Sequence, residues 1–187
     1  MKLLAVCIPT YKRPKTLDRC LQSILKQVHE NDLESRISIY VANDCSPDNT
    51  NEVLDALQPF PYLFHVTREK NVGMSANIKQ MLVEATELGE YQLIITDDDY
   101  LQPNALEKLI VLLENICVTD TPLIWTPRFS FTDSGKFYGI SCNTFNENTI
   151  INPSAFNSAR YMRNGFILSG LVVRSSDINF SFWDEYE

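Results

Sequence analysis

Along the first hundred or so residues the apolar positions fall into two alternating arrangements. Residues 3–9 are almost continuously apolar, the pattern of a strand covered on both faces. Across residues 16–28, Leu17, Cys20, Leu21, Ile24, Leu25 and Val28 recur at helical spacing, which predicts an amphipathic helix with Thr16 as its N-cap. Residues 37–42 are rich in β-branched side chains and predict a second strand. It ends in Asn43-Asp44-Cys45-Ser46-Pro47-Asp48-Asn49-Thr50, a run of turn and capping residues. A short helix is expected over 51–58, closed by Pro59 and Pro61, then a third strand over 62–67. The stripe Ile78, Met81, Leu82, Ala85, Leu88 predicts a helix over 75–88 with Gly89 as its C′ residue. A fourth strand follows over 91–96, broken by Asp97-Asp98-Asp99, and Pro103 suits the first turn of a helix running to residue 116. Strand and helix alternating in units of about thirty residues predict an α/β fold, its central, mostly parallel sheet flanked by helices.

After Pro122 the segments shorten and aromatics thicken (Phe129, Phe131, Phe137, Tyr138). Asp133-Ser134-Gly135-Lys136 reads as a hairpin turn. One more apolar strand is expected over 167–173, preceded by Gly165 and interrupted by Gly170.

Composition narrows the class. The chain has 187 residues, 44% hydrophobic and 21% charged, enough to bury a real core. Its net charge of −8 offers no electrostatic footprint for a nucleic-acid backbone, so no nucleic-acid partner is expected. A nucleoside diphosphate remains compatible where a metal or backbone N–H groups supply local positive charge. No apolar run approaches the length of a membrane span. Cys7, Cys20, Cys45, Cys117 and Cys142 are odd in number and form no CxxC pair, the pattern of reduced thiols in a cytoplasmic protein.

In an open parallel α/β sheet, ligands bind beyond the carboxyl ends of the strands. Those ends carry Pro9-Thr10-Tyr11-Lys12-Arg13, Asn43-Asp44, the segment from Arg68 to Gly73, and Asp97-Asp98-Asp99. Three adjacent carboxylates repel one another, and a divalent cation offsets that cost. Mn²⁺ and Mg²⁺ favour such oxygens and share them with phosphates. The alternative is a solvated turn in which Asp97 or Asp99 caps the helix near Pro103. Asp44 is either a cap in an Asx-type turn or an acceptor for a nucleobase N–H or ribose hydroxyls. Pro9-Thr10-Tyr11 brings backbone groups and a ring to a base, or is an ordinary strand exit with Pro14 at helix position N1. Gly73 permits close backbone approach or a positive φ.

Other phosphate chemistries fail. The sequence has no GxGxxG, no P-loop and no nucleophile elbow. A sugar-phosphate nucleotidyltransferase would show a glycine-rich basic loop after the first strand, yet no glycine occurs before Gly73. A non-catalytic nucleotide-sugar-binding or interaction domain is the reading from a different class.

Four ordered motifs carry a family resemblance: residues 6–13, the strand end 43–48, Asn71-Val72-Gly73-Met74-Ser75-Ala76-Asn77, and residues 96–103. Together they resemble the nucleotide-sugar-binding half of a family 2 glycosyltransferase with the Rossmann-like GT-A fold. The resemblance implies one GT-A domain, with residues 1–115 as the donor half and 116–187 as the beginning of an incomplete acceptor half. It implies a nucleotide-sugar donor (a UDP-sugar favoured), Mn²⁺ or Mg²⁺, transfer with inversion, and a saccharide or lipid-linked acceptor. Pro9, Thr10, Tyr11 and Asp44 match positions that hold the nucleoside, and Asp97 and Asp98 those near ribose and diphosphate. Arg13, Asn71, Gly73 and Asn77 fall in the same donor motifs. Asp99 is the first expected metal ligand and Asp98 the next. Two departures stand out: Ala76-Asn77-Ile78-Lys79 occupies the stretch where many members carry an arginine, and Asn43-Asp44 replaces a pair of aspartates. Trp183-Asp184-Glu185 resembles the segment just ahead of the family's catalytic base, which places the expected base past Glu187. Asp184 and Glu185 are the candidates within the chain, and donor binding with poor transfer is the expected behaviour. A peripheral position at the inner membrane face is expected only through parts beyond these residues.

Overall fold

Lys2–Thr10 forms β1, and the near-continuous burial of its apolar run makes it a central strand. Ile37–Asn43 forms β2, every residue of it buried, and it pairs parallel to β1 from Leu4↔Ile37 to Thr10↔Asn43. Leu63–Thr67 forms β3, parallel to β2, and Gly89–Ile94 forms β4, parallel to β1 on its other side. The computed structural model describes residues 1–57, 59–116, 123–125, 128–131, 137–141 and 169–178.

Among the described residues four helices connect the strands: α1 (Pro14–Glu30), α2 (Thr50–Ala56), α3 (Met74–Glu84) and α4 (Ala105–Ile116). Alternate residues of β1 point to opposite layers, which is why two cores form. Leu4, Val6 and Ile8 pack with Leu17, Leu21 and Ile24 of α1, Leu54 of α2 and Leu106 of α4. Ala5 and Cys7 pack with Ile78, Met81 and Leu82 of α3. Short strands β5 (Leu123–Trp125) and β8 (Leu171–Arg174) complete a six-stranded sheet of order β3-β2-β1-β4-β8-β5. β8 runs antiparallel to both β4 and β5, the exception in an otherwise parallel sheet. β6 (Arg128–Phe131) and β7 (Phe137–Ser141) pair antiparallel as a separate ribbon, while the turn expected at residues 133–136 lies outside the described residues.

Several local expectations are corrected. Thr16 lies inside the first turn of α1: Pro14 opens the helix, Arg13 is its N-cap, and the Thr16 hydroxyl donates to the Arg13 carbonyl at 3.3 Å. Gly89 is not a helix C′ residue. α3 ends at Glu84, Ala85–Glu87 tightens into a 3-10 turn, and Gly89 starts β4. A Cβ there would lie 2.3 Å from the Ala5 nitrogen, so glycine is needed for strand approach. Pro103 precedes α4 instead of opening it, because Asn104 takes a φ of 60° that interrupts the helix. The strand expected over 167–173 begins at Leu171, after a turn at Gly170 with φ 86°. Cys7, Cys20 and Cys45 are free thiols, whereas Cys117 and Cys142 lie outside the described residues. Among the described residues no helix is long and apolar enough to cross a membrane.

Candidate active site

The parallel strands deliver their polar ends to one rim. Cross-strand pairing sets Thr10 beside Asn43 and Asn43 beside Thr67, and the Asp44 N–H donates to the Thr10 carbonyl at 3.0 Å. On the other flank β4 continues past its last paired residue, the Ile95 N–H donating to the Cys7 carbonyl at 3.1 Å. The aspartate triplet therefore arrives next to the end of β1.

The three aspartates have different environments. Asp97 is buried; its Oδ2 accepts from the Thr10 hydroxyl at 2.7 Å and its Oδ1 from Arg13 Nη1 at 3.1 Å. Burial pushes its carboxyl above the ordinary aspartate range, and the bonds from Thr10 and Arg13 only partly counter this. Asp98 is exposed, and its Oδ2 accepts from the same Arg13 nitrogen at 2.7 Å. Arg13 is in turn held above its ordinary value, chiefly by the charge of Asp97. Asp99 is half-buried and its Oδ2 accepts from the Thr96 hydroxyl at 3.1 Å. Asp97 is thus bonded to the end of β1 and to the N-cap residue of α1, and Asp99 to the triplet's own turn.

Asp44, on the opposite flank, is buried and clasps the loop after β3. Its Oδ1 accepts the Val72 N–H at 2.7 Å and its Oδ2 the Gly73 N–H at 3.0 Å. Asn71 adds a bond from Nδ2 to the Asp44 carbonyl at 3.4 Å. Asn43 Oδ1 accepts from the Ser46 N–H and hydroxyl at 3.1 and 2.6 Å, and the Asx turn before α2 belongs to Asp48, whose Oδ1 accepts the Thr50 N–H at 3.1 Å. Gly73 is the N-cap of α3 at φ 85°, ψ 159°, a region open to glycine almost alone.

Asn77 does not reach the rim. It is buried, donates from Nδ2 to the Ala42 carbonyl at 2.9 Å and accepts from Arg68 Nε at 3.0 Å. The Arg68 fork closes on Glu84 at 2.7 and 2.8 Å, and the Tyr40 hydroxyl donates to the same carboxylate at 2.8 Å. Tyr11 does lie at the rim, partly exposed, with Lys12 Nζ 4.9 Å from its ring centroid. Pro9 pairs with Ala42 inside the sheet. Asp184 and Glu185 lie outside the described residues.

Sequence reasoning missed two supporting hydroxyls. Ser46 Oγ accepts the Lys12 N–H at 2.9 Å, which pins the β1 exit where Lys12 takes a φ of 57°. Ser169 Oγ accepts the Thr96 N–H at 3.2 Å and so ties β8 to the triplet. Both are bonds across 34 and 73 residues, beyond any local pattern.

A family model described as glycosyl transferase family 2 matches residues 5–162. The chain belongs to that family. It is 30% identical over 138 residues to the glycosyltransferase GlyG of Streptococcus pneumoniae, covering 73% of this chain and 43% of GlyG. The crystal structure of S. aureus TarS 1–349 in complex with UDP-GlcNAc superposes with a TM-score of 0.70 at 21% identity, covering 94% of this chain and 46% of that one. A Pyrobaculum calidifontis mannosyltransferase in complex with GDP-Man and Mn²⁺ superposes with a TM-score of 0.53 at 20% identity, over 65% of this chain and 34% of that one. These likenesses show the GT-A fold. The chain spans less than half the length of the curated relatives it matches.

Proposed function

We propose that this family 2 chain binds a nucleotide-sugar donor, a UDP-sugar before others, and serves an inverting, metal-assisted glycosyltransferase. Its acceptor is a saccharide or lipid-linked hydroxyl in polysaccharide or glycolipid synthesis. Residues 1–115 form the donor half and 116–187 contribute to the acceptor half. The observation that carries the reading is the convergence of Asp44 and the aspartate triplet on either side of Thr10. The UDP-GlcNAc complex of the superposed TarS structure supports uridine over guanosine.

Among the described residues no three His, Cys, Asp or Glu side chains converge as a ready metal cage. The donor set nevertheless fits Mn²⁺ or Mg²⁺, which take carboxylates from the protein and fill the shell with substrate phosphates and water. Asp99 and Asp98 would hold the ion, since Asp97 is buried with both oxygens engaged, by Thr10 and Arg13. When bound, the ion neutralises charge developing on the leaving diphosphate. Asp44 shapes the loop at residues 71–73, Tyr11 offers a ring at the rim, and Arg13 steadies two of the triplet's carboxylates. Inversion requires a general base opposite the leaving group, and Asp184 and Glu185 are the candidates within the chain. Free thiols at Cys7, Cys20 and Cys45 support a cytoplasmic setting.

Titration calorimetry with UDP and GDP, each with and without Mn²⁺, on the chain and on Asp99→Asn tests this reading. UDP binding that needs the metal and is lost in the variant is the expected result. Absence of binding by folded protein, or binding indifferent to metal, overturns it.

A further inference from the structure

A single nitrogen, Arg13 Nη1, bridges two carboxylates of unlike environment. Its partner Asp97 has a side chain only 6% exposed and is held from the far side by Thr10, whereas the side chain of Asp98 is 51% exposed. The bridge is therefore unequal. The Asp97 half is anchored, and the Asp98 half lies in solvent, where an ion pair is screened and contributes little. Arg13 itself is 51% exposed, so its guanidinium can leave one partner without leaving the other. Mn²⁺ or Mg²⁺ on Asp98 and Asp99 would draw on the carboxylate whose Oδ2 Arg13 holds at 2.7 Å, and two cations on one carboxylate repel.

We propose that Arg13 is a counter-ion for the empty triplet that competes with the divalent cation for Asp98, keeping Asp97 while it yields Asp98 as the metal binds. This rests on the reading of Asp98 and Asp99 as metal ligands. Arg13 is then a positioning residue that tunes metal loading. The released guanidinium arm stays beside the ion, where its planar fork suits a phosphate oxygen.

The test is titration of Mn²⁺ alone, without nucleotide, read by the electron paramagnetic resonance signal of the free hexaaqua ion. The proteins are the chain, Arg13→Gln and Arg13→Lys, each with and without Asp98→Asn. Arg13→Gln should bind Mn²⁺ roughly three- to tenfold more tightly than the parent, the range set by loss of a screened ion pair and of one repelling charge. Arg13→Lys, which keeps a positive charge beside Asp98, should show a smaller gain. Both gains should vanish in the Asp98→Asn background, where each Arg13 substitution makes the same change in net charge but the contested carboxylate is gone. Should Arg13→Gln fail to fold, Arg13→Lys carries the test alone. Unchanged or weaker Mn²⁺ affinity in the folded variants overturns the proposal, as does a gain that survives Asp98→Asn. If the parent still binds UDP in a metal-dependent way, only this inference falls. If the parent takes up no Mn²⁺ even with UDP, the metal reading falls with it.

Discussion

The carboxylate of Asp44 holds the backbone of Gly73: one oxygen takes the Gly73 N–H at 3.0 Å while the other takes the Val72 N–H at 2.7 Å. A residue at the end of β2 thereby fixes the entry to α3, 29 positions later in the chain. The clasp lets Gly73 keep its unusual dihedrals and sets the loop edge of the rim at a defined height beside Thr10. A buried carboxylate is suited to this task because each oxygen accepts a charge-assisted bond from a backbone donor.

Asp44→Asn should break the clasp at one oxygen, since an amide nitrogen would then face an N–H. A buried donor left facing a donor costs about 1–3 kcal/mol. Guanidinium denaturation of the two proteins should show that loss, together with weaker UDP binding in calorimetry. Unchanged stability with weakened UDP binding would place the carboxylate on the ligand instead of on the loop.

Two glycines should fail for opposite reasons. A Cβ on Gly73 would meet nothing within 4 Å, so Gly73→Ala costs only the backbone strain of φ 85°, ψ 159°, about 1–3 kcal/mol. A Cβ on Gly89 would strike backbone atoms of β1, at 2.3 Å from the Ala5 nitrogen and 2.8 Å from the Leu4 carbonyl carbon. Backbone cannot rotate away, so Gly89→Ala should separate β1 from β4 and cost more than about 3 kcal/mol. Equal losses for the two in denaturation experiments would contradict this account.

The α/β architecture was legible because β1 and β2 are buried on both faces and because α1 carries its whole apolar stripe on one side. The rim was legible for the same reason: parallel strands put all their C-termini at one edge, so Thr10, Asp44 and Asp97 had to be neighbours. What was not legible is which polar side chain faces the rim and which faces the scaffold. Asn77 reads like a motif residue, yet helix geometry turns it inward to the Ala42 carbonyl and Arg68. Gly89 reads like a helix stop because a C′ glycine and a glycine under a crowding strand leave the same mark in a sequence. The antiparallel course of β8 and the contact of Ser169 with Thr96 depend on a return from residue 169 onward, which no local period encodes.

Thr10 is the partner that lets Asp97 stay buried. Thr10→Val keeps the shape but leaves Asp97 Oδ2 without its 2.7 Å donor, at a cost of about 1–3 kcal/mol. Burial already holds this carboxyl above the ordinary range, and the Thr10 bond pulls against that rise. Carbon-13 titration of the side-chain carboxyl should therefore show Asp97 moving further up in Thr10→Val and staying in place in Thr10→Ser, which keeps the hydroxyl. A titration point indifferent to Thr10→Val would mean that the hydroxyl does not govern this carboxylate.

Glu84 gives the fold a dependence on pH whose sign can be worked out. Burial pushes its carboxyl up, but the bonds from Arg68 and Tyr40 outweigh burial and leave it below the ordinary glutamate value of 4.5. A carboxyl lowered in the folded state stabilises at pH above its unfolded value, and that contribution disappears as pH falls through the folded value. Glu84→Gln should therefore cost stability near pH 7, while the gap to the parent closes as the pH drops below 4.5. The Glu84 side chain is 38% exposed, so solvent screening holds the neutral-pH loss to about 1–2 kcal/mol. Asp97, raised in the folded state, works in the opposite sense and favours the folded form as pH falls between its folded and unfolded values. Both proteins retain Asp97, so its effect cancels in their difference. Denaturation curves for parent and variant from pH 7 down to pH 3 isolate the Glu84 contribution. A stability difference that stays constant over that range would show that the charge of Glu84 is not what joins α3 to Arg68 and Tyr40.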